Sequence, residues 1–162
     1  GSSFGISKVH HTNKLLPAIE KAFEEDKEII IETALVGTEV SVGVYKQKGN
    51  LIVLSPTEIV SENDFFDYEA KYQGKSQEIT PARISDEETE KVQNKAKEIY
   101  RILNMNGVTR SDFIIQDGEP FFIEINTTPG LSKESIVPKQ AIAAGMTLTE
   151  LFGVLVEELF NT

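Results

Sequence analysis

Several features that would point to particular protein classes are missing from this sequence. Its 162 residues contain no cysteine, which excludes disulfides and thiolate chemistry and is common among cytosolic proteins. No apolar run approaches the roughly 18 residues of a membrane-spanning helix; the longest are Ile29 to Ile31 and the interrupted stretch from Leu151 to Leu159. The start, Gly1 to Gly5, has neither the basic patch nor the apolar core of a signal peptide. We therefore expect a cytoplasmic protein that does not span a membrane.

Positive charge is scarce as well. The chain has 16 lysines and arginines against 26 acidic residues, a net charge of −10. Proteins that bind nucleic acids need a basic face, so no nucleic-acid partner is expected. An acidic chain still binds a nucleotide when a metal and a few local cations neutralise the phosphates. An apolar content of 40 % and this length favour one folded domain over residues 1–162.

The first half of the chain predicts a helix followed by strands. Residues 14–25 place four apolar residues on one helical face, with Thr12 or Asn13 as the cap: Leu15, Ile19, Ala22 and Phe23. The β-branched run 28–32 predicts a buried strand. The alternating run 39–45 predicts a half-buried strand, and a turn leads into another strand over 51–54.

The second half predicts helix, hairpin and helix. Residues 61–82 are polar and aromatic without a period, which indicates a long functional loop. A capping box at 85–88 opens a helix that ends at Asn106-Gly107, with a buried stripe of five residues: Val92, Ala96, Ile99, Ile102 and Leu103. Strands over 110–115 and 120–125 are joined by an Asp-Gly turn, and a capped helix covers about 147–160. The fold class is therefore α+β, an antiparallel sheet flanked by helices.

The predicted hairpin brings polar residues to one face. Arg110 and Asp112 are two residues apart on its first strand, and Glu124 and Asn126 are two apart on its second. The other face would carry the apolar side chains Phe113, Ile115, Ile123 and Ile125. Three oxygen ligands on one face form a site for Mg²⁺ with phosphate oxygens, and Arg110 could neutralise charge on a transferring group. By spacing alone, the solvated face of an amphipathic hairpin is an equally good interpretation.

The chain turns sharply directly after these ligands. The string Asn126-Thr127-Thr128-Pro129-Gly130-Leu131-Ser132 breaks the second strand, and its backbone N–H groups could face an anion. This position favours the functional interpretation of the hairpin over the solvated face.

Four separated segments resemble the D-alanine–D-alanine ligases, a family of the ATP-grasp superfold. Arg110-Ser111-Asp112-Phe113 with Glu124-Ile125-Asn126-Thr127-Thr128-Pro129-Gly130 is similar to the catalytic end of that family. The other three segments resemble its phosphate loop, its mobile loop and its substrate-terminus segment: Gly1 to Val9, Asp67 to Tyr72, and Ser135 to Pro138. Their order agrees from Gly1 to about Leu159, and four spaced motifs are far more specific than one.

The resemblance implies an ATP site with two Mg²⁺ ions, for which Mn²⁺ could substitute. Asp112, Glu124 and Asn126 would bind the metals, with Glu124 shared. Glu39 would hold the ribose, and Lys71 would touch the phosphates. The adenine would lie in a pocket lined by Ile114 or Phe113 together with Ile123. It would also lie along four consecutive residues: Glu32, Thr33, Ala34 and Leu35.

The resemblance also implies the reaction: ATP-dependent joining of two D-alanines through an acylphosphate, for peptidoglycan precursor synthesis. Arg110 and the Gly130 N–H would hold the oxyanion. Ser135 and Ile136 would bind the carboxylate of the second D-alanine, and Ser2 and Tyr72 would help to close the site.

The family's N-terminal domain and the lysine-bearing start of its central subdomain have no counterpart in these residues. We therefore expect little or no ligase activity from the 162-residue segment alone, and any homodimer would form through that other part. Two other functions remain open: another ATP-grasp ligase, carboxylate–amine or D-alanine–D-lactate, and a non-catalytic module that binds Mg-ATP. A purely structural domain is the third alternative.

Overall fold

A computed structural model describes residues 5–61 and 76–160, except for the side chains of Ser61 and Ser76. By their contacts the residues divide into two compact units. One comprises Gly1–Leu35 with Ser61–Gln77, and the other comprises Val36–Val60 with Glu78–Thr162. The predicted mobile loop over 67–72 lies outside the described residues.

The first unit contains helix α1, Leu15–Phe23, which continues from a 3₁₀ turn at Thr12–Lys14. Pro17 lies in the first turn, where its missing N–H costs nothing. The predicted side-chain cap is wrong: Lys14 is the N-cap residue, and neither Thr12 nor Asn13 caps the helix. The carbonyls of His11 and Thr12 already accept hydrogen bonds from the backbone N–H groups of Lys14 and Leu15. These N–H groups therefore need no side-chain cap.

The predicted buried strand over 28–32 does not form. Residues 29–36 have no regular structure, and Ile30 and Ile31 are 85 % and 67 % exposed. β-Branched residues favour a strand only when a neighbouring strand supplies hydrogen bonds and packing. No strand among the described residues pairs with this run.

The sheet contains six described strands: β1 Thr38–Gln47, β2 Asn50–Val53, β3 Thr57–Ser61, β4 Ser76–Ile79, β5 Thr109–Gln116 and β6 Glu119–Asn126. Their order is β4-β3-β1-β5-β6, and β2 also pairs with β1. The pairs β1–β2, β1–β3, β1–β5 and β5–β6 are antiparallel. The predicted α+β class with an antiparallel sheet and flanking helices is confirmed. Strand β4 contradicts the prediction of an irregular loop over 61–82, and β3 was not predicted.

Strand β1 is buried on both faces, so the prediction of a half-buried strand is wrong. Val40, Val42 and Val44 are fully buried against helix α2, Asp86–Ile102. The opposite face packs on helices α3, Ile136–Ala143, and α4, Leu148–Glu158. A central strand covered by helices on both sides does not need an exposed polar face.

Helices α2 and α4 begin with the predicted capping boxes, in which Ser85 pairs with Glu88 and Thr147 with Glu150. Helix α2 ends at Ile102, earlier than predicted. Its predicted buried stripe fails at this end, because Ile102 is 72 % exposed and Tyr100 is buried. The Tyr100 hydroxyl donates to the Gly107 carbonyl at 2.7 Å, which makes its burial inexpensive.

Helix α3 was not predicted, although a serine at the N-cap and a proline in the first turn are helix-start signals. Among the described residues no single helix is long and apolar enough to cross a membrane. Helices α3 and α4 meet that criterion only as a pair, and the chain bends by 109° between them.

Gln140 of α3 fills a gap in the sheet ladder beside β1. Strand β2 leaves β1 after Val53, and β3 joins it only at Thr57. Between them the Gln140 amide accepts from the Gly43 N–H at 2.9 Å and donates to the Ser41 carbonyl at 2.8 Å. A side chain at Gly43 would meet the amide oxygen at 2.8 Å, so this close approach requires glycine. The bridge fixes α3, and with it Ser135, against the sheet.

Candidate functional site

The β5–β6 hairpin places the four predicted polar residues together. Its two-residue turn has Asp117 and Gly118 at φ 54° and 77°, the left-handed pair of a type I′ turn. The resulting register sets Asp112 opposite Glu124 and Arg110 opposite Asn126. All four side chains therefore lie on one face of the sheet, as the spacing predicted.

The Asp112 carboxylate is buried and held by three neighbours. Arg110 donates to both of its oxygens, from Nε at 2.9 Å and from Nη2 at 2.8 Å. The Ser41 hydroxyl donates to Oδ1 at 2.7 Å, and the Asn126 amide donates to Oδ2 at 3.2 Å. The side chains of Arg110 and Asp112 are 22 % and 12 % exposed, so this is a largely desolvated ion pair.

Arg110 lies in a strongly negative environment. Burial lowers the pKa of its guanidinium, but the hydrogen bond to Asp112 and the charges of Asp112, Glu124 and Glu78 outweigh this effect, and the net pKa is raised. Arg110 is therefore a permanent cation among three carboxylates. Such a group neutralises negative charge on a bound phosphate or oxyanion.

A β-bulge changes the predicted alternation of β6. The register shifts between Asp112 and Phe113, so that Phe113 faces Phe122 and Ile123 has no partner. The rings of Phe113 and Phe122 meet edge to face at 5.8 Å. Phe122 thus takes the place predicted for Ile123 on the apolar face, and Ile123 is 49 % exposed. The extra residue of a bulge moves every preceding side chain of the strand to the opposite face, which alternation alone does not reveal.

Strand β1 adds Glu39 to the polar face. Its register sets Glu39 opposite Ile114 and Ser41 opposite Asp112. Glu39, Ile114, Asp112 and Glu124 therefore follow one another on a single face, with Ile114 partly exposed. The structure thus brings one predicted ribose ligand and one predicted adenine contact to the face that carries the predicted metal ligands.

The turn after β6 approaches the start of α3 closely. Pro129 is buried, and a Cβ at Gly130 would lie 2.7 Å from the Ser135 hydroxyl oxygen. The Ser132 and Ser135 hydroxyls are hydrogen-bonded at 2.9 Å, and Ser135 is the N-cap residue of α3 without a side-chain cap bond. Gly130, Ser135 and Ile136 are therefore neighbours at a helix N-terminus, where unpaired N–H groups favour a carboxylate.

Three residues near this site were missed by the sequence analysis. Ser41 shares a face with Glu39 by simple alternation, so the pattern of β1 would have revealed it. Glu78 of β4 and Lys139 of α3 form an ion pair at 3.2 Å, and the charge of Glu78 acts on Arg110. No sequence signal marked these two, because their meeting depends on how the sheet edge and α3 pack.

The remaining predicted residues lie elsewhere. Ser2, Lys71 and Tyr72 are outside the described residues. The predicted adenine stretch belongs to the first unit, where Glu32, Thr33 and Ala34 are exposed and Leu35 is partly buried.

The donor set of the hairpin suits a hard cation. Asp112 and Glu124 supply carboxylates, and Asn126, whose Nδ2 is directed at Asp112, retains its amide oxygen as a ligand. Within residues 5–61 and 76–160, no group of three His, Cys, Asp or Glu side chains could hold a metal ion. The hairpin set, two carboxylates and one amide, is the alternative, and it resembles Mg²⁺ sites that are completed by phosphate oxygens and water.

Comparison with known proteins identifies the family. The family described as D-ala D-ala ligase C-terminus matches residues 1–157. The chain is 62 % identical over 157 residues to a D-alanine–D-alanine ligase from Flavobacterium johnsoniae, covering 97 % of this chain and 49 % of that protein. It is 56 % identical to one from Christiangramia forsetii, covering 99 % and 49 %. The chain thus spans about half the length of the curated relatives it matches.

Solved structures show the same fold. The VanG D-Ala:D-Ser ligase from Enterococcus faecalis superimposes with a TM-score of 0.85 at 38 % identity, over 97 % of this chain and 46 % of that one. A D-alanine–D-alanine ligase from Bacillus anthracis complexed with ATP gives a TM-score of 0.76 at 27 % identity, over 92 % and 47 %.

Proposed function

We propose, since the chain belongs to the D-ala D-ala ligase C-terminus family, that it carries the ATP-grasp portion of an enzyme that joins two D-alanines at the expense of ATP. The product would be D-alanyl-D-alanine for peptidoglycan precursor synthesis. The observation that carries this proposal is the register of β5 and β6, which sets Asp112 opposite Glu124 and Arg110 opposite Asn126 on one face. Residues 1–162 would form this catalytic portion without the family's N-terminal domain.

The metal ligands are assigned from the resemblance to the family, and their place on one face of the hairpin supports the assignment. Asp112, Glu124 and Asn126 would hold two Mg²⁺ ions, or Mn²⁺, with Glu124 shared between them. These cations supply charge neutralisation and orientation of the phosphate oxygens when bound. Ser41 fixes the Asp112 carboxylate through its 2.7 Å bond and so orients one ligand.

The nucleotide residues are assigned from the resemblance to the family. Glu39, on the same sheet face as the metal ligands, would hold the ribose hydroxyls, and Ile114 with Ile123 would line the adenine pocket. Lys71 would contact the phosphates. The remaining adenine contacts would come from four consecutive residues: Glu32, Thr33, Ala34 and Leu35.

The two half-reactions place different demands on the protein. In the first, a carboxylate oxygen of one D-alanine attacks the γ-phosphorus of ATP, the bond to the ADP oxygen breaks, and an acylphosphate forms. In the second, the amine of another D-alanine attacks the acyl carbon, inorganic phosphate leaves, and the amine loses a proton. Arg110 and the Gly130 N–H would stabilise the oxyanion of this second step. Ser2 and Tyr72 would help to exclude water from the acylphosphate.

The acceptor site would lie at the start of α3. Ser135 and Ile136 would bind the carboxylate of the second D-alanine with the hydroxyl and backbone N–H groups of the helix N-terminus. The structural likeness to a D-Ala:D-Ser ligase favours D-serine as a second candidate acceptor. The higher identity to D-alanine–D-alanine ligases supports D-alanine as the main one.

The proposal extends to the whole protein. The reaction would take place in the cytoplasm, where ATP is available. A homodimer, if formed, would use the part of the family's enzymes that these residues do not match.

The proposal is tested with a chimera in which this chain replaces the matching half of the Flavobacterium johnsoniae ligase, to which it is 62 % identical. ADP release is measured with Mg-ATP, with D-alanine present and absent, and with D-serine in competition. We expect release that depends on D-alanine. Glu124→Gln removes a metal ligand and should lower kcat by about 100-fold or more.

Glu119→Gln is the matched control, because Glu119 lies on the same strand at the opposite end of the hairpin. It should retain activity near that of the unmodified chimera. ADP release that ignores D-alanine, or that survives Glu124→Gln, would refute the ligase assignment. Mg-ATP binding without D-alanine-dependent turnover would indicate the non-catalytic module instead.

A further inference from the structure

Asp112 has no acceptor position left for a cation in this structure. An ionised carboxylate offers about four lone-pair positions. All are occupied by donors at 2.7 to 3.2 Å: two from Arg110 and one each from Ser41 and Asn126. A metal ion that coordinates Asp112 must therefore remove at least one of these donors.

Arg110 is the donor that a cation would displace. Its guanidinium is positively charged and contacts both carboxylate oxygens, so a divalent cation beside Asp112 would repel it and compete for the same lone pairs. Ser41 and Asn126 are neutral. Ser41 can keep its single bond to Oδ1, and Asn126 can offer its carbonyl oxygen to the metal.

We infer that Arg110 and the divalent cation compete for Asp112, so that metal binding releases Arg110 toward the phosphate and acyl groups. This inference rests on the proposed metal role of Asp112. Without metal the arginine neutralises a buried carboxylate, which would otherwise be costly to leave unpaired. When metal is bound, the metal becomes the partner of the Asp112 carboxylate. Arg110 is then free to bind the oxyanion, but only in a site that already holds its metal.

The surroundings of Arg110 allow such a movement. The charge of Glu78, which is not among the proposed metal ligands, also attracts Arg110, so a released guanidinium stays within the site. Glu78 is itself held by Lys139 at 3.2 Å, with Glu134 on the other side of that lysine at 3.7 Å. The arginine therefore moves from one carboxylate into the field of others and is not expelled into solvent.

The first test follows the arginine Nε–H groups by ¹⁵N NMR during titration with Mg²⁺. The chain has only three arginines, so the spectrum is simple, and Arg110→Lys assigns the signal. Arg83 is an internal reference, because it binds Glu58 with the same two-pronged geometry, 2.8 Å from both Nε and Nη2, away from the hairpin ligands. We expect Mg²⁺ to shift or broaden the Arg110 signal and to leave the Arg83 signal unchanged.

The second test measures Mn²⁺ affinity by electron paramagnetic resonance of the free ion. Arg110→Met removes the competitor, and Arg110→Lys keeps the charge without the two-pronged contact. If the paired hydrogen bonds are what the metal displaces, both variants should bind Mn²⁺ about tenfold more tightly than the wild type. Arg83→Met should bind as the wild type does.

The outcomes separate this inference from the proposed metal site. Metal binding that depends on Glu124 but leaves the Arg110 signal unchanged would overturn the competition and retain the site. Tighter binding in Arg110→Met alone would reduce the effect to general charge repulsion and would also overturn it. If neither the wild type nor Arg110→Met binds Mn²⁺, the proposed metal site itself fails.

Discussion

At the scale of single residues, the chain holds its buried carboxylates by dedicated donors. Asp112 is paired with Arg110, and Glu58 of β3 is paired with Arg83. Burying a charge without a partner is costly, and each arginine supplies that partner. The two pairs differ in use: Asp112 lies among the proposed metal ligands, whereas Glu58 ties β3 to the segment that leads into α2. Because Glu58 is not a proposed metal ligand, the Glu58–Arg83 pair can be used to measure how much such an ion pair contributes to the stability of the fold.

Glu58 predicts a specific loss of stability in acid. The hydrogen bond from Arg83 lowers the pKa of Glu58 below 4.5, overcoming the opposing effect of burial. A carboxyl group whose pKa is lower in the folded than in the unfolded state adds stability above the unfolded pKa. That contribution disappears as the pH falls through the folded pKa. We expect urea denaturation of the wild type to show this loss below pH 4.5, and Glu58→Gln to lack this component.

Glu98→Gln is the control, because Glu98 is an exposed residue of α2 that pairs with Lys95 of the same helix. Its stability should follow the pH dependence of the wild type. A Glu58→Gln variant that loses stability in acid as steeply as the wild type would show that Arg83 does not stabilise the ionised form.

At the scale of elements, the hairpin was predictable and its neighbours were not. Asp117-Gly118 sets both strands and their register locally, so Asp112 could be placed opposite Glu124 from sequence alone. The β-branched run 28–32 also has a high strand propensity. Whether it forms a strand depends on a neighbouring strand, which the local sequence does not specify. The bulge that leaves Ile123 unpaired likewise arises from how β6 fits β5.

The same distinction applies to the candidate site. Spacing brought Arg110 and Asp112 together, but the contact between Glu78 and Lys139 arises from packing between distant segments. Sequence therefore predicts the ligands themselves better than the residues that hold them in place.

Gln140 makes a prediction about how α3 is attached to the sheet. Its buried amide replaces a missing strand beside β1 by bonding Gly43 N–H, the Ser41 carbonyl and the Thr57 hydroxyl. Gln140→Leu removes the amide partner of the Gly43 N–H and the Ser41 carbonyl, whereas Thr57 keeps its bond to the Thr80 hydroxyl. Each buried group left unsatisfied costs about 1–3 kcal/mol. We expect the urea midpoint to fall strongly, with an unfolding free energy lower by about 2–4 kcal/mol.

The exposed position Ala144 at the end of α3 provides the control, since Ala144→Gln adds an amide without removing a bridge. Its stability should change by less than about 0.5 kcal/mol. A Gln140→Leu variant as stable as this control would mean that the amide bridge contributes little.

At the scale of the whole molecule, the chain holds the proposed metal ligands but only about half the length of the relatives it matches. Asp112, Glu124, Asn126, Gly130 and Ser135 all lie within the second compact unit. On the proposed assignment, cation binding would need only contacts that this unit supplies. Ligation would also need a bound first D-alanine, which we propose is held by the part of the relatives that this chain does not match.

This division predicts that binding and catalysis separate in the 162-residue chain. The chain alone should bind Mn²⁺ in a manner that depends on Glu124, yet form no measurable D-alanyl-D-alanine with Mg-ATP and D-alanine. The chimera with the Flavobacterium johnsoniae half should do both. Product is followed by chromatography of labelled D-alanine, with Glu124→Gln as the blank. Robust dipeptide formation by the chain alone would show that residues 1–162 contain both substrate sites, and the requirement for a second half would then be abandoned.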